Sequence, residues 1–257
     1  MKIASFNVNS VKARLPNVLA WLGEAKPDVC LLQETKTEDH GFPRLEFEDL
    51  GYNLALHGQK TYNGVAILSK QPLDDVVRSL PGDANDTEAR YIEAFTGGIR
   101  VASVYVPNGQ AVGSDKFRYK LGFLARLKTH AASLVGLEEP VAIGGDFNVA
   151  PDDADVHDPA AWRDQVLCHP EERAAFRRIS HLGFTDALAA LAPGGHAYTW
   201  WDYRAGAWPK DHGLRIDHIL LSPKAADRLK SAGVDRKARG QEKASDHAPV
   251  WCELAES

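Results

Sequence analysis

Cysteine is scarce in this sequence, and no long apolar run is present. Cys30, Cys168 and Cys252 are the three cysteines among 257 residues, and their spacing fits neither a disulfide framework nor a paired-cysteine zinc site. In the first thirty residues, short apolar pieces alternate with polar and charged side chains, so we expect neither a signal peptide nor a membrane span. These absences favour a protein of the cytoplasm with no membrane partner.

An excess of basic residues is absent as well. The chain has 30 lysines and arginines against 35 aspartates and glutamates, a formal net charge of -5. Proteins that coat nucleic acid nonspecifically need many basic contacts to phosphate, so this composition argues against that class and leaves room only for a local basic rim. With 44% hydrophobic residues the chain can bury a large core. We predict one domain over residues 1–257 and a monomer, although length alone also allows two small domains.

Short β-rich segments recur along the whole chain. They predict strands at residues 2–8, 28–34, 53–57, 64–69, 91–96, 100–106, 141–146, 197–201, 214–222 and 248–254. Helical patterns begin near Pro16, after Ser114 and near Pro170. A glycine pair at 97–98 predicts a hairpin turn between two strands. This order favours a mixed α/β fold in which sheets pack face to face with helices outside.

Polar side chains follow several of these strands at the point where each strand ends. Asn7 and Glu34 close the first two, and Asp146 and Asn148 follow the glycine pair at 144–145. Such side chains can converge in one crevice, although each alone is equally typical of a turn or a solvated charge. Oxygen ligands without cysteine favour Mg²⁺ or Mn²⁺ over softer metals.

Two later segments add a carboxylate pair and an imidazole. Asp217 lies in an apolar segment, where an unpaired carboxylate would be costly, so it needs a partner. Asp246 and His247 precede the last predicted strand and should face opposite sides of it. Taken singly, Asp246 could be a cap and His247 a core histidine. Together, Asp217 could hold His247 in one tautomer and leave its second ring nitrogen to act.

Five ordered segments resemble the motifs of the endonuclease/exonuclease/phosphatase superfamily. They are FNVN at 6–9, LQETK at 32–36, GDFN at 145–148, LRID at 214–217 and SDHAPV at 245–250. HGQK at 57–60, YVPN at 105–108 and WWDYR at 200–204 resemble the exonuclease III family of abasic-site endonucleases in particular. The resemblance covers nearly the whole chain. It implies a four-layered α/β sandwich with two central mixed β-sheets flanked by helices, and an active site at one rim.

The resemblance also implies a role for each matching position. Glu34 would be the principal ligand of Mg²⁺ or Mn²⁺, with Asn7 beside it and Asp246 as a further or alternative ligand. Asp146 would orient or deprotonate the attacking water. The remaining implied roles concern the phosphate: Asn148 would hold one of its oxygens, His247 paired with Asp217 would stabilise its developing charge or act as the base, and Tyr105 and Asn108 would contact it.

The implied partner is double-stranded DNA with abasic sites or blocked 3′ ends. Lys36, Lys60 and Arg90 are candidate phosphate contacts, although each alone is more typical of a solvated charge. Three further residues match the pocket that takes an extruded, baseless sugar: Trp200, Leu214 and Ile216. Trp201 is expected to fill the core instead. Residues 108–115 lack the arginine that some relatives insert into DNA.

The predicted function is therefore metal-dependent hydrolysis of DNA 5′ to abasic sites, with 3′ to 5′ exonuclease and 3′-end cleaning activity. The competing functions are those of a nonspecific nuclease, a phosphoesterase acting on small molecules or lipids, and a noncatalytic DNA-binding module that keeps the fold. The enzymatic interpretation requires Glu34, Asp146 and His247 to lie within a few side-chain lengths of one another.

Overall fold

The computed structural model describes residues 1–192 and 197–256 of the chain. In these residues, twelve strands form two six-stranded sheets. In chain order they are β1 (Lys2–Asn7), β2 (Val29–Gln33), β3 (Asn53–His57), β4 (Val65–Ser69), β5 (Asp74–Arg78), β6 (Tyr91–Thr96), β7 (Ile99–Tyr105), β8 (Val141–Asp146), β9 (Thr185–Asp186), β10 (Asp217–Leu221), β11 (Leu229–Val234) and β12 (Val250–Leu254). The α-helices are α1 (Leu15–Ala25), α2 (Arg44–Asp49), α3 (Asp115–Gly136), α4 (Pro159–Trp162), α5 (Pro170–Ser180), α6 (Ala187–Leu191) and α7 (Pro223–Ala226).

Both sheets are mixed. Sheet 1 has the order β11-β12-β1-β2-β4-β3, and sheet 2 has the order β5-β6-β7-β8-β10-β9. In sheet 1 only β1 and β2 run parallel, and in sheet 2 only β7 and β8 do, among the pairings of the described strands. Each parallel pair is joined through a helix, α1 or α3, as a parallel connection requires.

The core lies in three apolar layers. Residues from both sheets fill the space between them, including Ile3, Leu31, Ile67, Val101 and Ile219. The outer face of sheet 2 packs under α3 and α5, and the outer face of sheet 1 packs under α1 and α2. The resulting order is helix, sheet, sheet, helix. The predicted four-layered sandwich is thus confirmed.

Several local predictions hold because their chemistry is short-range. Ser114 caps α3 by accepting a hydrogen bond from the Phe117 N–H at 3.1 Å, and Pro16 lies in the first turn of α1. The capping box of His169 and Glu172 starts α5 at Pro170. The glycine pair at 97–98 turns between β6 and β7 with positive φ at both positions, as a tight hairpin needs.

The strand predictions fail at particular places. The strand predicted at 197–201 is wrong, because within that segment only Trp200 pairs, through isolated bridges to Leu214 and His247. The strand predicted at 214–222 is shorter, as is the one at 248–254. β5, β9 and β11 were not predicted. All three are edges of their sheets, where polar and small residues give little apolar alternation.

One negative finding concerns membranes. No α-helix in residues 1–192 and 197–256 has both the length and the apolar composition that crossing a bilayer demands.

Candidate active site

Side chains from both sheets meet at one edge of the sandwich. Glu34 directly follows β2, His247 lies just before β12, and Asp146 ends β8. One potential ligand atom from each of the three lies within 4.8 Å of the other two. Asp146 is 1% exposed and His247 4% exposed, so these charges are shielded from water. The three groups that the enzymatic interpretation requires are therefore together.

Strand register explains this convergence. In sheet 2, Asp146 is paired with Tyr105 on one side and with Asp217 on the other. A Cβ added at Gly145 would stand 1.9 Å from the carbonyl oxygen of Val104, so only glycine fits immediately before Asp146. Pairing therefore places three functional side chains at neighbouring strand ends.

The segment before β12 is fastened to sheet 1. The Ser245 hydroxyl donates to the backbone carbonyl of Asn7 at 2.7 Å and accepts from the His247 N–H at 3.2 Å.

Glu34 has a left-handed backbone with φ 51°, a conformation that costs a non-glycine residue about 1 kcal/mol. Strain of this kind is common at functional sites.

Asp217 and His247 form a buried pair. Nδ1 of His247 lies 2.9 and 3.1 Å from the two carboxylate oxygens of Asp217, and Nε2 lies 3.7 Å from Asp146 Oδ2. Burial lowers the pKa of His247, but Asp217 and then Asp146 outweigh it and raise this pKa to about 10. His247 is therefore an imidazolium at neutral pH, with Nε2–H directed toward the site.

Asp146 has an unusual protonation equilibrium. Burial raises its pKa, His247 opposes this, and Asp217 and Glu34 raise it further, to about 7. Its Oδ2 accepts from Nδ2 of Asn7 at 2.9 Å. A carboxylate that titrates near neutral pH is suited to accept a proton from water.

Tyr105 faces the same carboxylates. Burial, followed by the charges of Glu34 and Asp146, raises the pKa of Tyr105 well above its ordinary value. The guanidinium of Arg90 lies 4.8 Å from the centroid of the Tyr105 ring and opposes that shift. Tyr105 consequently stays protonated and can donate a hydrogen bond to an anion.

The predicted cation ligands have distinct surroundings. Nδ2 of Asn7 donates to Glu34 Oε1 at 2.9 Å, and Oδ1 of Asn7 accepts from the backbone N–H of Asn9 at 3.0 Å, so Asn7 orients Glu34. Asp246 is outside the cluster of Glu34, Asp146 and His247. It accepts from Nδ2 of Asn9 at 3.0 Å. Of the two predicted carboxylate ligands, Glu34 belongs to the compact cluster and Asp246 does not, and the two carboxylates of that cluster suit a hard divalent cation.

The candidate phosphate contacts line the rim. Asn108 is exposed and donates from Nδ2 to Oδ1 of Asn148 at 3.2 Å. Lys60 is exposed on the loop between β3 and β4. The ammonium of Lys36 lies 2.7 Å from Glu34 Oε2 and 2.6 Å from Asn9 Oδ1. Lys36 therefore forms an ion pair with a carboxylate of the site in this structure.

The predicted abasic pocket is covered in this structure. Leu214 is 0% exposed and Ile216 1% exposed, and both pack in a small apolar cluster with Leu167, under the half-buried Trp200. Leu167 has φ 81°, in the left-handed region that leucine avoids. Trp201 is buried as expected.

Two contributors were missed in the sequence. Asn9 joins Lys36 to Asp246, and the Thr199 hydroxyl accepts from the N–H groups of Ile216 and Asp217 at 3.0 and 3.1 Å. Asn9 was visible as the last residue of the FNVN segment. Thr199 carries no signal, because its role depends on a distant strand end.

The arrangement matches known proteins. Residues 4–247 fit the sequence profile described as the Endonuclease/Exonuclease/phosphatase family. The chain belongs to this family. Exodeoxyribonuclease III of Haemophilus influenzae is 37% identical over 266 residues, with 99% of this chain and 100% of the relative covered.

Two solved structures in the same family also resemble the chain along its whole length. A 3′ phosphatase from Neisseria, bound to a product DNA hairpin, superposes with a TM-score of 0.97 at 42% identity and covers 100% of both chains. An AP endonuclease from Archaeoglobus fulgidus superposes with a TM-score of 0.95 at 40% identity and covers 99% of both. These matches confirm the predicted family, and they confirm that the protein is a hydrolytic nuclease of DNA repair. Enzymes of this family typically depend on metal.

Proposed function

We propose that this protein hydrolyses double-stranded DNA 5′ to abasic sites and at blocked 3′ ends, with Mg²⁺ or Mn²⁺ as cofactor. The observation that carries the proposal is the meeting of Glu34 and Asp146 with a His247 that Asp217 keeps charged. We further propose a cytoplasmic monomer of one domain. The AP endonuclease from Archaeoglobus fulgidus, 40% identical, supports the abasic substrate.

Each residue has a definite task in this reaction. Glu34 would be the principal ligand of the cation, with Asn7 beside it and Asp246 as a further or alternative ligand, and the bound cation would neutralise charge on the phosphate. Asp146 takes the proton of the attacking water as the water oxygen bonds to phosphorus, and the P–O3′ bond breaks to leave a 3′ oxygen that takes up a proton as the 3′-hydroxyl. Fixed donors meet the phosphoryl oxygens as negative charge develops on them, namely the amide of Asn148, the hydroxyl of Tyr105 and the imidazolium of His247. Asp217 acts through His247 by keeping it charged.

DNA is held by the rim around this centre. Asn108 would contact the scissile phosphate, and Lys60 and Arg90 would contact phosphates that flank it. Lys36, whose ammonium lies 2.7 Å from Glu34 Oε2, would contact a further phosphate. Trp200, Leu214 and Ile216 would line the space for a baseless sugar after Leu167 moves.

A second candidate function is 3′-end processing without abasic incision. It is favoured by the coverage of Leu214 and Ile216, which leaves no open apolar pocket at those two residues. The Neisseria 3′ phosphatase, with its TM-score of 0.97, supports the same candidate.

One experiment separates these candidates. Two duplexes are incubated with the protein and Mg²⁺, one with an internal tetrahydrofuran residue and one with a 3′ phosphate at a nick. Processing of both supports the main proposal, whereas 3′ phosphate removal alone supports the second candidate.

Controls distinguish both candidates from a small-molecule enzyme, a nonspecific nuclease and a binding module. If the folded wild-type protein carries out neither reaction, both candidate functions are rejected. Release of phosphate from small phosphoesters would indicate a small-molecule enzyme. Nicking of undamaged duplex at a rate similar to that on the damaged duplexes would indicate a nonspecific nuclease. Glu34→Ala should abolish hydrolysis, whereas a noncatalytic binding module would keep its function in that variant.

A further inference from the structure

Helix α3 carries a lysine that solvent does not reach. Lys120 is 0% exposed and lies on the apolar face of the helix with Phe117, Leu124 and Leu127. A buried ammonium is costly unless its N–H donors have acceptors. The acceptors of Lys120 therefore define what it does.

Three acceptors surround this ammonium. Nζ donates to the backbone carbonyl of Asn148 at 2.6 Å and to that of Asn108 at 3.2 Å. The third acceptor is Oε2 of Glu172 in the first turn of α5, which is also fully buried. Glu172 uses Oε1 to accept from the His169 N–H at 2.9 Å. Glu172 thus neutralises the lysine, and the other two N–H donors are directed at main-chain carbonyls.

These carbonyls belong to the two asparagines whose side chains meet beside Asp146. Asn108 donates to Asn148, and Nδ2 of Asn148 donates to Asp146 Oδ2 at 3.2 Å. Asn148 has φ 50°, a left-handed conformation that costs about 1 kcal/mol. Its carbonyl is held by Lys120 and its N–H by Asp146 Oδ1 at 2.9 Å. The strained residue is thereby fixed from both sides.

The loop after Asn108 is fitted to the lysine stem. A Cβ added at Gly109 would lie 3.1 Å from Cδ of Lys120 and 3.2 Å from Cγ2 of Val166, and the φ of Gly109 is +93°. The backbone of this loop therefore lies directly on the lysine, where little besides glycine fits.

We propose that Lys120 is a positioning residue for the hydrolysis of DNA phosphate esters by this protein. It ties the main chains of Asn108 and Asn148 together, so that both amides face the same phosphate. The inference rests on the proposed function, because that function assigns the two amides to the phosphate. Lys120 itself touches no substrate and acts through its N–H donors, while Glu172 contributes to stability as the counter-ion.

The test compares Glu172→Gln with the double variant Lys120→Met/Glu172→Gln. Glutamine keeps an acceptor for the His169 N–H, and a lysine amine that becomes neutral beside it still has two N–H donors, one for each carbonyl. We therefore expect Glu172→Gln to lower the melting temperature but to hold kcat for 3′ phosphate removal within about threefold of wild type.

The double variant leaves no unpaired buried charge and removes the donors to both carbonyls. Replacing a buried ion pair by uncharged groups is commonly tolerated by the fold. We expect kcat to fall at least about tenfold, because small displacements of positioning groups are costly. The Kd for the same duplex, measured in EDTA, should stay within about twofold of wild type.

Three results would overturn the proposal. The first is a folded double variant whose kcat equals that of wild type, and the second is a loss of kcat matched by an equal loss of DNA affinity. The third applies if the double variant does not fold: an NMR spectrum of the wild-type protein that shows no couplings between the Lys120 ammonium and the carbonyl carbons of Asn108 and Asn148. A wild-type protein that processes neither duplex would refute the proposed function, and this role for Lys120 with it.

Discussion

The charge that Asp217 induces on His247 leads to a prediction that can be worked out in numbers. The pKa of His247 is raised from 6.5 to about 10, a difference that corresponds to about 5 kcal/mol in favour of the imidazolium. Asp217→Asn keeps a hydrogen-bond acceptor for Nδ1 but removes the charge that contributes most to this increase. We expect the pKa of His247 to return to about 6.5 or below.

The loss of rate then depends on pH. With a pKa of 6.5, about 3% of His247 is charged at pH 8, so kcat should fall at least about thirtyfold there. With the same pKa, about three quarters of the imidazole is charged at pH 6, so the ratio of wild type to variant should shrink to about 1.3-fold. Single-turnover rates on a duplex with a 3′ phosphate, at saturating Mg²⁺ between pH 6 and 9, measure this ratio.

A matched control is Asp211→Asn. Asp211 also accepts an N–H bond, from Nε1 of Trp201 at 2.9 Å, but it lies outside the catalytic cluster, so its variant should show no pH-dependent ratio. A ratio for Asp217→Asn that stays constant from pH 6 to pH 9 would refute the reasoning. In that case Asp217 would orient the ring without charging it.

Three further predictions concern the same edge of the molecule. Glu34→Gln should lower kcat at least about a hundredfold at millimolar Mg²⁺ while gel-shift affinity for DNA in EDTA is unchanged; equal losses would contradict a cation role. Asp146→Asn should raise the free energy of unfolding of the metal-free protein, measured by urea denaturation, by up to about 4 kcal/mol at pH 8 but should not raise it at pH 4. The pKa of Asp146 is raised from 3.8 to about 7, so its contribution is present below 3.8 and lost as the pH rises through 7; an equal gain at both pH values would argue against this. Leu167→Gly should raise tetrahydrofuran incision relative to 3′ phosphate removal and reduce stability by about 2 kcal/mol, since the cavity outweighs the relieved strain; an unchanged ratio of the two reactions would show that Leu167 does not gate the pocket.

The fold and the centre of the site could be predicted from the sequence because the signals for both lie within short segments of the chain. Carboxylates such as Asp146 and Asp217 stand beside apolar strand residues, where an unpaired charge is expensive, so they stand out as functional. The same contrast identifies His247. Short-range signals such as the Ser114 cap and the glycine hairpin were equally visible.

The remaining features depend on contacts between distant segments. The burial of Leu214 in one apolar cluster with Leu167 depends on how distant segments pack, and no local pattern encodes it. Lys120 is an instructive miss, because a lysine in a helix is normally solvated. Its spacing of three from Phe117 and four from Leu124 places it on the buried face, and that periodicity alone would have predicted a buried ammonium.

The division of the centre between two sheets has a kinetic consequence. Glu34 follows β2 and His247 precedes β12 of sheet 1, whereas Asp146 and Asp217 lie at strand ends of sheet 2, so neither half alone holds a working set of groups. A folding intermediate with both sheets formed but undocked would show native-like circular dichroism and no turnover. Recovery of activity after dilution from denaturant should therefore lag behind the far-ultraviolet signal and report when the halves of the molecule join.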